Sequence, residues 1–475
     1  MRAIAVSSLF ALGVAITAPA AADAPSKAIS TNVITAYSLA APSSTARSGI
    51  VVRAVVPDGA PCPTLDVVIT HKGDDRLRTV PMWVRGAPAT TAPAFESITV
   101  CSAHMPTGAV RATVAGRSVP ARMPIAVDRI ALFGDSGCRI VSYVVQDCAD
   151  TQAWPLSVIS ASIAREHPDA VLYTGDFFYR EAACPEDEQD ECGSSPAPVI
   201  GLPFTDSAYG WIADVLLPMT PMLSTAPLVV TRGNHEACYR GGNGYFLLFD
   251  PRDGTEATCA PVVGSAGLTA APTVPTPTYA IDLPIAAGRT LRLAIVDSAG
   301  GSDTSVTSFA AQQRPAYQRA AELTRQAAGR ESWLLTHRPI YGYVTSTFAQ
   351  PGVPFNPWTS ADQTAAAMGL LDTFDMVLSG HVHIAQMVQL PGLPGQLVLG
   401  NGGTLLDPAI GYPLPTTAPG SGYPSPSWAW VAPEFGYAIA TPNAEDRSWR
   451  ISMRDPSGSQ FARCGLKNSS LYCQS

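Results

Sequence analysis

Residues 130–137 read IALFGDSG, a run of apolar β-type residues ending in an Asp directly after Gly. The form returns four times, as VLYTGDFFY at 171–179, VVTRGNHE at 229–236, SWLLTH at 332–337 and MVLSGHVH at 376–383. Four of the chain's seven histidines fall in the last three segments. An apolar strand followed by a Gly-flanked Asp, Asn or His is the pattern of a parallel sheet with polar ligands along its C-terminal edge. The chemistry is expected at that edge.

Outward from these strands, helical patterns fill the gaps. Helices are predicted over Trp154–His167, Tyr209–Met222, Phe309–Arg330 and Ala361–Phe374, with a further strand at Leu291–Asp297 whose terminal Asp297 reads as a cap or turn residue. Strands alternating with helices indicate an α/β layered domain from Pro124 onward. Before it, residues 24–123 carry short alternating runs such as IVVRAVV, LDVVITH and AVRATVAG, the signature of a small antiparallel β-sandwich. His71 and His104 lie in this part with no other ligand type near them in sequence, and are expected to be surface or packing residues. The expected organisation is a leader at 1–22, an N-terminal β-sandwich domain at 23–124 and the main domain at 125–475.

The five segments supply Asp135, Asp176, Tyr179, Asn234, His337, His381 and His383, a set of O and N donors without a thiolate. Such donors suit hard and borderline first-row ions, and two ions sharing one carboxylate would use all seven. The i, i+2 spacing of His381 and His383 puts both imidazoles on one side of an extended strand end, so each can serve a different ion.

The ordered set GDSG, GDFFY, GNHE, LLTH and GHVH resembles the calcineurin-like metallophosphoesterases and, within them, the purple acid phosphatases. In most of that superfamily the first motif is DxH. Here Gly137 stands where that His would be and Tyr179 supplies the missing ligand. The resemblance covers about Asp128 to His383. It implies a four-layer α/β/β/α metallophosphoesterase sandwich, an α+β or α/β fold preceded by a small all-β, fibronectin-like domain.

It further implies that Asp135, Tyr179 and His383 bind one ion, that Asn234, His337 and His381 bind the other, and that Asp176 bridges them. A phenolate is a hard anionic donor whose proton must be displaced by a strongly charged cation, which favours Fe(III) at the Tyr179 site. The neutral Asn234 and two imidazoles suit Fe(II), Zn(II) or Mn(II). A phosphate ester would lie across both ions while a metal-bound hydroxide attacks in line. His235 is the candidate for donating a proton to the leaving group or stabilising charge on the phosphoryl oxygens, with Glu236 orienting it. Tyr341, Tyr343 and Asn401 are expected to line the cleft, and Arg338 to pair with a carboxylate.

Arg2 is the only charge in residues 1–22, an apolar run from Ala3 to Ile16 follows it, and Ala20–Ala22 offers a small-residue cleavage site, the form of a secretory signal. Its removal takes the formal net charge from −8 to −9, and nucleic acid is not expected as a partner. No later apolar run is long enough to span a bilayer. Ten cysteines without a CxxC in an exported chain read as disulfides, which points to a secreted or periplasmic protein. Connectivity does not follow from spacing, although neighbour pairing is the simplest pattern. It would place three bridges just after Gly137, Tyr179 and Glu236. The six acids of EAACPEDEQDEC, 181–192, read as a solvated loop that could discourage very anionic substrates.

Phosphate monoesters are the expected substrates of an acid-phosphatase-like hydrolase, with phosphodiesters on the same centre as the nearest alternative. From another class, the β domain could attach the chain to a surface or polysaccharide with only a structural metal site. A dinucleotide-binding role lacks GxGxxG after the first strand.

Overall fold

The computed structural model describes residues 33–71, 73–85, 93–141, 143–193, 206–238, 240–253, 276–285, 288–325, 331–348, 355–408, 412 and 414–474. The leader expected at 1–22 lies outside them.

The motif strands divide between two sheets. Ile130–Phe133, Ala170–Tyr173 and Leu228–Val230 run parallel to one another in an eleven-stranded sheet. Glu331–Leu335 and Met376–Ser379 are parallel neighbours in a seven-stranded sheet, beside Thr290–Ile295 and Gly395–Leu399. Leu132, Leu172 and Val229 of the first sheet share one core with Leu293, Trp333, Leu335, Leu378 and Leu397 of the second. Both faces of the motif strands are buried, which is why they read as unbroken apolar runs rather than as alternation.

Helices cover the two outer faces. Leu156–Arg165 and Leu217–Leu223 place Ile159, Ile163, Met219 and Met222 against Ala131, Phe133, Val171 and Tyr173. Ser308–Arg325 and Ala361–Ala367 place Tyr317, Ala320 and Ala366 against Ala294, Leu334 and Val377. The expected four α/β/β/α layers are therefore present. The segment predicted as one helix over Tyr209–Met222 is a short helix, a π-turn at Ile212–Leu216 and a second helix. Asp297 ends its strand by accepting from the Ala299 N–H at 3.1 Å and pairing with Arg232 at 2.9 Å.

At the N-terminus, a four-stranded sheet built on Thr64–His71 and Ala109–Val114 packs Leu65, Val67 and Val114 against Val52 and Val56. The opposing sheet of this sandwich is not separate. Its strand Thr35–Ala40 pairs in parallel with Leu228–Val230, so the N-terminal strands extend the eleven-stranded sheet. The Cys62–Cys101 bridge crosses between the two sheets of the sandwich. Cys138–Cys148, Cys184–Cys192 and Cys464–Cys473 are also bridged, each to its neighbour in sequence. His104 is a half-exposed partner of Asp253.

Candidate metal centre

Glycine before Asp135, Asp176, Asn234 and His381 is a requirement of space. A Cβ on Gly233 would lie 2.0 Å from Asp176 Oδ1, and one on Gly380 would lie 2.0 Å from Asp135 Oδ2. The ligand turns are tight as well: Asp135, Asp176 and His381 all have left-handed backbone, with φ of 56°, 59° and 74°.

These turns bring the seven donors together in two groups that share Asp176. The Tyr179 phenol oxygen lies 2.9 Å from Asp176 Oδ2, 3.1 Å from Asp135 Oδ1 and 2.9 Å from His383 Nε2. Asn234 Oδ1 lies 2.9 Å from His337 Nε2 and 2.7 Å from His381 Nδ1, while His337 Nε2 is 3.2 Å from Asp176 Oδ2. Asp135, Asp176 and His383 form one candidate cation site, and Asp176, His337 and His381 the other.

The tautomers decide whether a cation fits. His337 Nδ1 faces the Thr174 carbonyl at 2.9 Å, His383 Nδ1 faces the Leu405 carbonyl at 3.1 Å, and His381 Nε2 faces Asp303 Oδ1 at 3.0 Å. The carbonyls can only accept, so His337 and His383 carry their protons outward; His381 Nε2 meets both the Asp303 carboxylate and the Arg338 guanidinium at 3.0 Å, and the tautomer that donates to the carboxylate likewise points a lone pair inward. Inward lone pairs then meet the Asn234 and Asp176 oxygens, and one phenol proton stands among three acceptors. Acceptors facing acceptors at this distance, buried from water, are stable with a cation between them.

The electrostatics agree. Burial holds the His381 imidazole down at about 4, and burial together with the Arg139 charge holds His383 well below the usual range, so both stay neutral and able to ligate. Burial and the adjacent Asp176 push Asp135 well up. Asp176, despite its own burial, is pulled well down by His337 and His235. Burial and the two carboxylates raise the Tyr179 phenol, so its ionisation calls for a strong positive charge.

His235 stands beside the shared carboxylate, its N–H donating to Asp176 Oδ1 at 2.8 Å and its Nε2 3.8 Å from Asp176 Oδ2. Glu236 does not orient it. The Glu236 carboxylate accepts from the backbone N–H groups of Asp176, Phe177, Phe178 and Gly233 at 2.7 to 3.1 Å, which fixes the turn carrying Asp176. The carboxylate against His235 Nδ1 is Glu181 at 2.5 Å, which also pairs with Arg240. Burial opposes its charge, but His235 and Arg240 lower Glu181 to about 2. The remaining acids of this loop are solvated or half-exposed, as expected.

A cleft of about 520 Å³ opens over the centre. Arg139, His235, Asp303 and Asp407 form its polar side, and Val344, Phe348, Phe355 and Trp358 its apolar side. Tyr341, Tyr343 and Asn401 do not line it. Tyr341 donates to the Pro394 carbonyl, Tyr343 packs edge-on against Trp358, and Asn401 donates to the Glu434 carbonyl at 2.7 Å. Arg338 pairs with a carboxylate, that of Asp303. Sequence reading missed Arg139, Glu181, Asp303 and Asp407. Arg139 follows the first motif directly, but Asp303 and Asp407 stand in loops without a motif.

Two adjoining clusters of N and O donors with a common carboxylate, set at the ends of two facing sheets, define a dinuclear metallohydrolase centre. Residues 129–385 match the calcineurin-like phosphoesterase family, and the chain belongs to that family. It is a metallophosphoesterase, so a binding-only role is set aside. Its fold is similar to that of a purple acid phosphatase from yellow lupin (Lupinus luteus) seeds, with a TM-score of 0.52, 15% identity and coverage of 88% of this chain and 72% of that one. It is also similar to PhoD, with a TM-score of 0.54, 12% identity and coverage of 93% and 92%. No curated protein matches the chain by sequence. Among the described residues no helix is long and apolar enough to cross a membrane.

Proposed function

We propose that this chain is an exported, acid-phosphatase-like enzyme that hydrolyses phosphate monoesters. The observation that carries the proposal is the convergence of Asp135, Tyr179 and His383 on one side of Asp176 and of Asn234, His337 and His381 on the other. Asp135, Tyr179 and His383 would hold one ion, with Fe(III) favoured by the hardness of the phenolate. Asn234, His337 and His381 would hold a divalent Fe, Zn or Mn, and Asp176 would serve both. When bound, such a pair would supply Lewis-acid charge and lower the pKa of water at the centre. Export fits the bridged cysteines, which form in an oxidising compartment.

The side chains do the rest. Glu181 keeps the proton of His235 on Nδ1 and turns Nε2 toward the centre, from where His235 delivers a proton to the leaving oxygen or stabilises phosphoryl charge. The apolar wall receives the leaving group's carbon skeleton. A cleft of this size also has room for a second ester substituent, so phosphodiesters are the second reading.

Rates on p-nitrophenyl phosphate and bis-p-nitrophenyl phosphate from acidic to neutral pH test the proposal, with the monoester expected to dominate at acidic pH. Activity on the diester alone reverses the ranking. Elemental analysis is expected to find iron, and the absorption spectrum a visible charge-transfer band that Tyr179→Phe removes. A colourless, iron-free and fully active enzyme refutes the Fe(III) assignment.

A further inference from the structure

We propose that Arg139 grips the phosphoryl oxygens of the substrate and favours the doubly charged monoester over the singly charged diester. The proposal rests on the phosphoesterase reading above.

Arg139 is built to hold still. Its N–H donates to Gln146 Oε1 at 2.9 Å, and its carbonyl accepts from the Gln146 N–H at 2.8 Å. Gln146 is itself buried, donating to the carbonyls of Ala153 and Gly403 at 2.7 and 2.8 Å. The Cys138–Cys148 bridge closes the same loop. From this base the side chain crosses the Tyr179 ring, its guanidinium carbon 5.8 Å from the ring centroid, and enters the cleft beside Asp176, His235 and His383.

The charge it brings has no ion-pair partner, although it acts on the Asp407 carboxyl, lowering it against the rise that burial causes. Among the described residues no carboxylate lies within ion-pair distance of the guanidinium. Asp407, on the same side, uses Oδ2 to accept from the His383 N–H at 2.9 Å. His383 Nδ1, 3.4 Å from Arg139 Nη1, carries its own proton toward Leu405 and offers no acceptor. A guanidinium left unpaired beside two cation sites opposes metal binding by simple repulsion. That opposition is reversed when an anion bridges the cations and the arginine, and the planar fork of a guanidinium matches two phosphoryl oxygens. Above its second pKa of about 6 a monoester is a dianion, which carries twice the charge of a diester and gains about twice as much from the contact, so the two esters are compared at a pH above that value.

The test compares wild type with Arg139→Gln and Arg139→Lys, each checked for metal content. Arg139→Gln is expected to raise the inhibition constant of inorganic phosphate and lower kcat/KM on p-nitrophenyl phosphate by about 10- to 100-fold. On bis-p-nitrophenyl phosphate the loss should be about 3- to 10-fold, and Arg139→Lys should fall between Arg139→Gln and wild type. Equal losses on both esters, or an unchanged inhibition constant, overturn the proposal. So does loss of metal from Arg139→Gln with activity restored by added metal, which would make Arg139 a support of the centre. If the wild type, fully metallated, turns over neither ester, the phosphoesterase reading fails first and independently of Arg139.

Discussion

The two rims that meet at the centre are secured in different ways. Loops leaving the eleven-stranded sheet carry Asp135, Asp176, Tyr179 and Asn234, and covalent bridges follow at Cys138–Cys148 and Cys184–Cys192, with Cys238 also bridged. Loops leaving the seven-stranded sheet carry His337, His381 and His383, and no cysteine occurs in the sequence between Cys259 and Cys464. That second rim is held by hydrogen bonds and ion pairs instead: the His337 and Arg338 N–H groups donate to Ser298 Oγ at 2.9 Å, and Asp303 joins Arg338 to His381. The anionic donors sit where the chain is stapled, and the neutral imidazoles where it is not. Holding carboxylates and a phenol close together before a cation arrives works against their mutual repulsion, which a covalent constraint resists better than non-covalent contacts do.

The largest effect is expected where the rims join. Asp176→Ala removes the carboxylate common to both groups and should lower kcat/KM by about 10³-fold or more, with loss of metal by elemental analysis. Next comes the uncovalent rim. Asp303→Asn leaves the His381 Nε2–H without its anionic acceptor and should cost about 10- to 100-fold in metal affinity, read by competition with a chelator.

On the stapled rim, Glu181→Gln keeps the size of the side chain but removes the charge behind His235, and about a tenfold loss in kcat is expected with metal content unchanged. If Glu236 were the orienting residue after all, Glu181→Gln would leave kcat alone. The smallest effect on activity should come from Cys138→Ser with Cys148→Ser. That pair opens a bridge of sequence separation 10 and should lower stability in urea by about 2–3 kcal/mol while sparing most of the activity. Hydrogen exchange should rise across 138–148 and stay unchanged across 380–384. Equal loosening of both loops would erase the contrast between the rims.

Much of this was written locally. Asp135, Asp176, Asn234 and His381 each follow an apolar strand and a glycine, and His337 ends an apolar strand of its own, so these residues and His383 are legible without knowing which strands touch. The bridged pairs are sequence neighbours for the same reason. What sequence hid is long-range. The parallel pairing of Thr35–Ala40 with Leu228–Val230 joins residues almost two hundred positions apart and leaves no local mark. Glu181 lies within an acidic run whose other members face solvent, and Glu236 lies next to His235 in sequence while its carboxylate points at backbone. Adjacency along the chain stood in for adjacency in space, and failed there. Tyr341, Tyr343 and Asn401 failed likewise, being behind the cleft wall rather than on it.

The left-handed turns at Asp135, Asp176 and His381 set this enzyme's priorities apart from those of a merely durable protein. Each departs from what an L-residue prefers, by about 1–3 kcal/mol, a tension the fold carries for the sake of its ligands. Selection for heat resistance alone would relax such turns and leave sterile survivors.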